Sequence, residues 1–288
     1  MKPTDGLSSK LAQGVEREQG IEPVRDAKPA GNKVHSRKPP DDGTTNHASN
    51  TLNQNSSTTT HDANSPNFEE YGETFEEYCE TIYGLNEDNL QVIQARIAER
   101  LEVSPPAVSE TIKRMKKAGL VESDSDTITL TEAGNFLGAQ VVRRHRIAER
   151  FLTDILNLPW AQAHTEASKW EHVISTEVEQ SMMKVLNQPT TCPHGNPIPG
   201  SEYEPPNLVA LKTLGVGDRF TIRRILEELE FKAGMLNFLE QSRIVPGVEG
   251  TITACSPNGT STLEIQGTSV GLDNYITARV LVTNSSTD

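Results

Sequence analysis

Between His145 and His172 the sequence reads HRIAERFLTDILNLPWAQAHTEASKWEH. His145 and Glu149 lie four apart in a strongly helical run, so they project from one helix face about one turn apart. His164 follows a break at Pro159, and a second helical run, Ala163 to Leu186, carries Ser168, Glu171 and His172. Imidazole and carboxylate at one-turn spacing on two helices build a nitrogen/oxygen site for a divalent transition metal. A single Glu–His pair on a helix is ordinarily solvated surface. Two such clusters close together on consecutive helices shift the balance toward a metal site, with the solvated-surface reading still open from the spacing alone. Cys192 and His194 are also ligand types, but two of them on an irregular loop carry less weight. They read as structural members of a Pro- and Gly-rich hinge, TTCPHGNPIPGSEYEPPN.

The elements that must position these residues are legible in the apolar periodicity. FEEYGETFEEYCETIYGL places Phe75, Tyr78, Cys79, Ile82 and Leu85 at helical spacing, with an acidic opposite side. LQVIQARIAERL is a second amphipathic run. Ser104 is a natural N-cap and Pro105 sits at the first helical position, so PPAVSETIKRMKKAG predicts a third helix ending at Gly119. Two helices joined by a short turn form a helix-turn-helix pattern. Val121 and Glu122, the polar turn SDSD, and the run Thr127 to Leu130 predict a β-hairpin, which makes the unit a winged helix. Thr131 should cap a long helix reaching Leu156. From about Leu208, DRFTIRRIL, VEGTITACS, STLEIQG and NYITARVLVT alternate as strands, with FKAGMLNFLEQSRI as one short helix between them.

Composition bounds the function. The chain has 288 residues, 27 Lys and Arg against 40 Asp and Glu, and a net charge of -13. That excludes a protein coating nucleic acid with its whole surface, not one with a local basic face. Between Gln91 and Gly119, Arg96, Arg100, Lys113, Arg114, Lys116 and Lys117 face only Glu99, Glu102 and Glu110, a local positive surplus. Hydrophobic residues make up 34% and mean hydropathy is -0.51. Residues 1–67, rich in Ser, Thr, Asn and Pro, are expected to be a disordered tail. Three separated cysteines with no CxxC pair support neither a zinc ribbon nor a disulfide framework. With no signal-peptide core and no run of transmembrane length, the expected setting is the cytoplasm, without membrane contact.

The segments YCETIYGL, ARIAERLEVSPPAVSETIKRMKKAGLV, RRHRIAERFLTDIL, EASKWEHVIS and GNPIPG, in this order and spacing, resemble the diphtheria-toxin-repressor family of metal-activated transcriptional regulators. The resemblance runs from about Glu70 to Gly200. It implies a mainly α fold with small β: a winged helix-turn-helix DNA-binding domain (68–138), a metal-binding and dimerisation domain (139–200) and an SH3-like, FeoA-like β-barrel (201–288). It also implies two metal sites. The ancillary one would use His145, Glu149 and His164. The primary one would use Glu171, His172, Glu77 and Ser168, through its carbonyl or hydroxyl, with Glu80 a helical turn after Glu77. Where family members draw a carboxylate and an amide from the barrel, this chain has Lys232 and Met235, which are not comparable ligands; Glu230 and Glu228 are the substitutes at hand. Ser104, Pro106, Ala107, Ser109 and Glu110 would face the DNA groove, and Arg96, Lys113 and Arg114 would meet phosphates.

The function so implied is a metal-dependent regulator, a repressor of metal-uptake genes, binding a near-palindromic double-stranded operator as a homodimer, with no small organic substrate. Hard oxygen and nitrogen ligands favour Mn²⁺, with Fe²⁺ the alternative. Two rival readings are a metallohydrolase built on the same His/Glu cluster and a metal-independent winged-helix regulator. The first lacks HExxH and any nucleophile motif and leaves the winged helix unexplained.

Overall fold

The computed structural model describes residues 72–124 and 127–284. The expected tail (1–67) lies outside the described residues. Helix α1 (Glu73–Glu87) buries Tyr78, Cys79, Ile82 and Leu85, the predicted apolar stripe. Helix α2 (Gln94–Arg100) and helix α3 (Pro105–Lys117) form the helix-turn-helix. Ser104 caps α3, its hydroxyl accepting from Ala107 N at 3.4 Å, and Gly119 follows the helix with φ of 76°. The wing is the hairpin β1 (Val121–Asp124) and β2 (Thr127–Leu130), tied to the chain before α2 by Ile128 N donating to Val92 O at 3.1 Å.

Thr131 caps α4 (Glu132–Asp154), a 23-residue helix that leaves the first hydrophobic core and enters a second. The single helical run expected over 163–186 is in fact two helices, α5 (Trp160–Trp170) and α6 (Thr176–Val185). Ser175 explains the break: its hydroxyl caps α6 by accepting from Val178 N at 3.3 Å. Glu171 and His172 therefore sit in the turn after α5 rather than on a helix.

The C-terminal part is one six-stranded antiparallel sheet in the order β3-β8-β4-β5-β6-β7, comprising β3 (Val209–Ala210), β4 (Arg219–Ile225), β5 (Glu249–Cys255), β6 (Ser261–Ile265), β7 (Thr268–Leu272) and β8 (Val280–Asn284). Edge strands β3 and β7 do not pair, so the expected SH3-like barrel is not closed among the described residues. A one-turn helix, α7 (Glu227–Glu230), forms where none was expected, and the single helix expected over 231–244 is the shorter α8 (Met235–Gln241), which starts after Gly234 in the left-handed region. NYIT opens as a short helix, α9 (Asn274–Thr277), because Asp273 caps it. A third core fills this part, and Trp160, the first residue of α5, is buried in it. No described helix is long and apolar enough to cross a membrane.

Candidate metal centre

Five elements converge on the segment singled out first. From α4, His145 and Glu149 point inward, with residue exposures of 8% and 1%. His145 Nε2 lies 3.2 Å from Glu149 Oε1 and 3.2 Å from His164 Nδ1 on α5. His164 Nδ1 is 2.9 Å from Glu149 Oε1. On its other side, His145 Nδ1 shares a hydrogen bond with Glu171 Oε2. Glu171 Oε1 is 3.2 Å from His172 Nε2, and His172 Nδ1 is 2.7 Å from Glu76 Oε2 on α1. His145 is thus the shared wall between two neighbouring clusters.

The first cluster gathers Glu73, Glu77 and His172 in one group and Glu80, His145 and Glu171 in another, each with ligand atoms within 4.8 Å of one another. All donors are oxygen or nitrogen. Ser168 lines the same cavity, but its hydroxyl donates to His164 O at 3.1 Å, a bond within α5 that occupies its proton. Glu76, one residue before the expected Glu77, makes the contact to His172. Helical spacing of Glu73, Glu76, Glu77 and Glu80 left the choice among them open. Side-chain hydrogen bonds from Glu171 and Glu76 push the His172 pKa up to about 10. Burial, reinforced by Glu171, pushes Glu80 up to about 8. Burial alone would raise Glu171, but His145 and His172 outweigh it and hold its carboxyl below the ordinary range.

The second cluster was the less legible. Besides His145, Glu149 and His164, ligand atoms of Glu149, Cys192 and His194 also lie within 4.8 Å of one another. The residues that sequence reasoning treated as structural parts of a hinge are buried, Cys192 and His194 both 1% exposed. The loop is pinned rather than hinged. Ile225 N donates to His194 O at 2.9 Å, and a Cβ at Gly195 would collide with Arg223 O, so only glycine lets the loop lie on β4. Asn196 Nδ2 donates to Glu230 Oε1 at 2.7 Å. That leaves Glu230 Oε2 3.1 Å from His194 Nδ1 and 3.5 Å from His164 Nδ1. Of the two carboxylates proposed as substitutes, Glu230 reaches the cluster. Glu228 instead pairs with Arg279 at 2.6 and 2.9 Å. Lys232 stacks its ammonium 4.1 Å above the Tyr275 ring.

Glu149 Oε2 and the His194 ring nitrogens are buried, with His194 Nδ1 3.1 Å from Glu230 Oε2 and 3.6 Å from Glu149 Oε2. Buried polar atoms left unpaired are costly, and a buried carboxylate oxygen beside an imidazole nitrogen offers ligand atoms for a cation. The residues present therefore fit a divalent metal. Burial alone would raise the Glu149 pKa, but His194 and His145 outweigh it and hold the carboxyl well below its usual range. Burial pushes the Cys192 thiol up.

The DNA-facing candidates fall on one side of the helix-turn-helix. Ser104, Pro106, Ala107, Glu110, Lys113 and Arg114 are exposed on α3, and Ser109 is half-buried. Arg114 carries its guanidinium 5.2 Å above the Phe75 ring. Arg96 is placed differently. It lines a cavity between α2 and the C-terminal part, together with Arg100, Phe231 and Tyr275, and its Nη1 is buried.

Comparison with known proteins agrees with this architecture. Residues 70–127 match the family described as iron dependent repressor, N-terminal DNA binding domain, and residues 131–200 its metal binding and dimerisation domain. The chain is 40% identical over 199 residues to the iron-dependent repressor IdeR of Mycobacterium tuberculosis, covering 65% of this chain and 86% of that one. It is 48% identical over 139 residues to the diphtheria toxin repressor of Corynebacterium diphtheriae, covering 48% and 57%. Among solved structures, a manganese-dependent transcriptional repressor in complex with manganese superposes with a TM-score of 0.66 at 28% identity, over 73% of this chain and 99% of that one. The IdeR of T. acidophilum gives 0.62 at 27%, over 73% and 97%. With its DNA-binding and dimerisation domains both matched, the chain belongs to the diphtheria toxin repressor/IdeR family of metal-dependent transcriptional repressors, and is not an enzyme.

Proposed function

We propose that this chain is a Mn²⁺-responsive repressor that binds a near-palindromic operator as a homodimer in the cytoplasm and shuts off metal-uptake genes. The observation that carries the metal assignment is the donor set of the first cluster. Glu77, Glu80, Glu171 and His172, with Glu76 and Glu73 beside them, offer only hard oxygen and imidazole nitrogen, the preference of Mn²⁺ and, next, Fe²⁺. The Ser168 carbonyl is the further donor there. The second cluster, His145, Glu149, His164, Cys192, His194 and Glu230, would hold a second ion. Its thiol makes it the softer of the two and able to take Fe²⁺.

Bound cations would supply positive charge where carboxylates crowd. The protein's own residues do the rest. Glu77 and Glu80 stand on α1, which packs on α4 and against the helix-turn-helix, while Glu171 and His172 belong to the dimerisation part. Holding both sets on one ion fixes α1 relative to α4, and so fixes the spacing of the two α3 helices in the dimer. Metal affinity for that arrangement then appears as operator affinity, a population shift by differential binding. The division into 68–138, 139–200 and 201–288 follows from this reading, with α4 crossing the first boundary as an unbroken helix. The test is operator affinity measured anaerobically against free Mn²⁺ and free Fe²⁺. Tight binding at lower free Mn²⁺ than other ions require, relative to their affinities for oxygen ligands, supports the assignment. Binding that ignores added metal refutes it.

A further inference from the structure

The first turn of α1 has different neighbours on its two sides. Glu73 and Glu77 are one turn apart on one side, where their ligand atoms and those of His172 lie within 4.8 Å of one another. Glu76 joins them there, 2.7 Å from His172 Nδ1. Phe75, two positions from each of Glu73 and Glu77, projects from the opposite side. It packs on the first hydrophobic core, and the Arg114 guanidinium of α3 stands 5.2 Å from its ring centroid, within the reach of a cation–π contact. One helical turn therefore separates the first cluster from an arginine of the recognition helix.

The two ends of α1 are held differently. A Cβ at Gly138 on α4 would lie 2.6 Å from Cys79 O, so at Cys79 the backbone of α1 rests directly on α4. Ahead of that point the helix begins at Gly72, which supplies no side-chain cap. The first turn is thus set by the side chains it carries. Arg114 is exposed, and no carboxylate among the described residues pairs with its guanidinium. A free arginine loses rotamers when it grips a phosphate. One already stacked on a fixed ring has lost them beforehand, and the N–H groups in its guanidinium plane stay free to donate.

We propose that Phe75 is a positioning residue for Arg114, carrying the metal-set placement of the first turn of α1 to a phosphate-binding side chain of α3. This rests on the reading of the first cluster as a metal site and of Arg114 as a phosphate contact. An ion held by Glu77 and His172 fixes the turn from one side. Phe75, on the other side, then holds the Arg114 guanidinium in place before DNA arrives. Without the ion the turn shifts, the ring moves with it, and Arg114 meets the phosphate unguided.

The test compares full-length dimers of wild type, Phe75→Leu, which keeps an apolar side chain, and Phe75→Tyr, which keeps the ring. A duplex selected from a random pool by the Mn²⁺-loaded wild type serves as operator. Its affinity, and that of a random duplex, are read by fluorescence anisotropy without metal and at saturating Mn²⁺. An exposed cation–π contact shifts an equilibrium by about two- to fivefold. A dimer carries two, so the metal-induced gain of Phe75→Leu should shrink by about five- to thirtyfold, on both duplexes alike as a phosphate contact requires. Its metal-free affinity should stay within about threefold of wild type, and Phe75→Tyr should keep the wild-type gain. On an Arg114→Ala background, Phe75→Leu should cost nothing further. Loss of core packing would instead lower metal-free and metal-bound affinities together and would persist without Arg114. Either of those results, or an undiminished gain in Phe75→Leu, overturns this proposal alone. A wild type whose affinity ignores Mn²⁺ overturns the metal-switch reading and this proposal with it.

Discussion

Val173→Asp is the perturbation that bears most directly on assembly. In the single chain Val173 is 77% exposed, in the turn between α5 and α6, and Val178 and Val185, seven apart on α6, are 47% and 60% exposed. A family whose second domain dimerises should cover that surface with its copy. Burying a whole valine side chain contributes roughly 1.5–3 kcal/mol. With about three quarters of Val173 left to cover, and the residue used twice by a two-fold interface, the apolar loss is roughly 2–5 kcal/mol per dimer. At about 1.4 kcal/mol per tenfold, the dimer Kd should rise by at least about 30-fold. The two buried carboxylates add a further penalty on top. The protomer itself should be spared, since the position is exposed in it. Sedimentation equilibrium over a range of concentrations measures the shift, and circular dichroism checks that the helices persist. A dimer Kd within about threefold of wild type would show that this face is not the interface.

Two further outcomes follow from the site and the α3 surface. With His172 raised to about 10 and Glu80 to about 8, both are largely protonated at neutral pH in the metal-free protein. Their stabilising contribution runs the same way: a raised pKa favours the fold at low pH, and is lost as pH rises through about 8 for Glu80 and about 10 for His172. Metal must displace these protons, so calorimetry in buffers of different ionisation enthalpy should find roughly one to two protons released per ion at pH 7, with apparent affinity rising with pH; zero release would contradict the assignment. On DNA, Arg114→Ala should weaken operator and random duplexes alike and lower the slope of log affinity against log salt by about one, as loss of a phosphate contact does; a loss confined to the operator would make Arg114 a base reader.

The helical half of the fold was legible because its signals are local. The stripe Tyr78, Cys79, Ile82, Leu85, the caps Ser104 and Thr131, and Gly119 each act within a turn or two of chain. The break at Ser175 was hidden because an apolar pattern continues across it, and only the hydroxyl cap ends one helix phase and starts another. In the site, His145, Glu149 and His164 could be found by spacing along α4 and α5. Glu230 came in only as a substitute for the family's barrel ligands and His194 not as a ligand at all, since α7 meets the CPHGNPIPG loop through Asn196, His194 and the end of β4, far apart in sequence. Their one local sign was a Cys and a His placed directly before that tight turn. Arg100 on α2 donates to Glu227 on α7, 127 positions away, and nothing in local periodicity marks such a partner.

The most direct test of the central claim is operator affinity against free Mn²⁺ for wild type and His172→Ala, measured anaerobically on dimers shown to be intact. His172 touches Glu76 and Glu171 and lies in the group with Glu73 and Glu77, so its removal deprives the first cluster of its one imidazole that faces α1. The account predicts that wild-type affinity rises steeply with Mn²⁺ while the variant stays at its metal-free level, with fold and dimer unchanged. The same metal dependence in His172→Ala as in wild type would contradict the account.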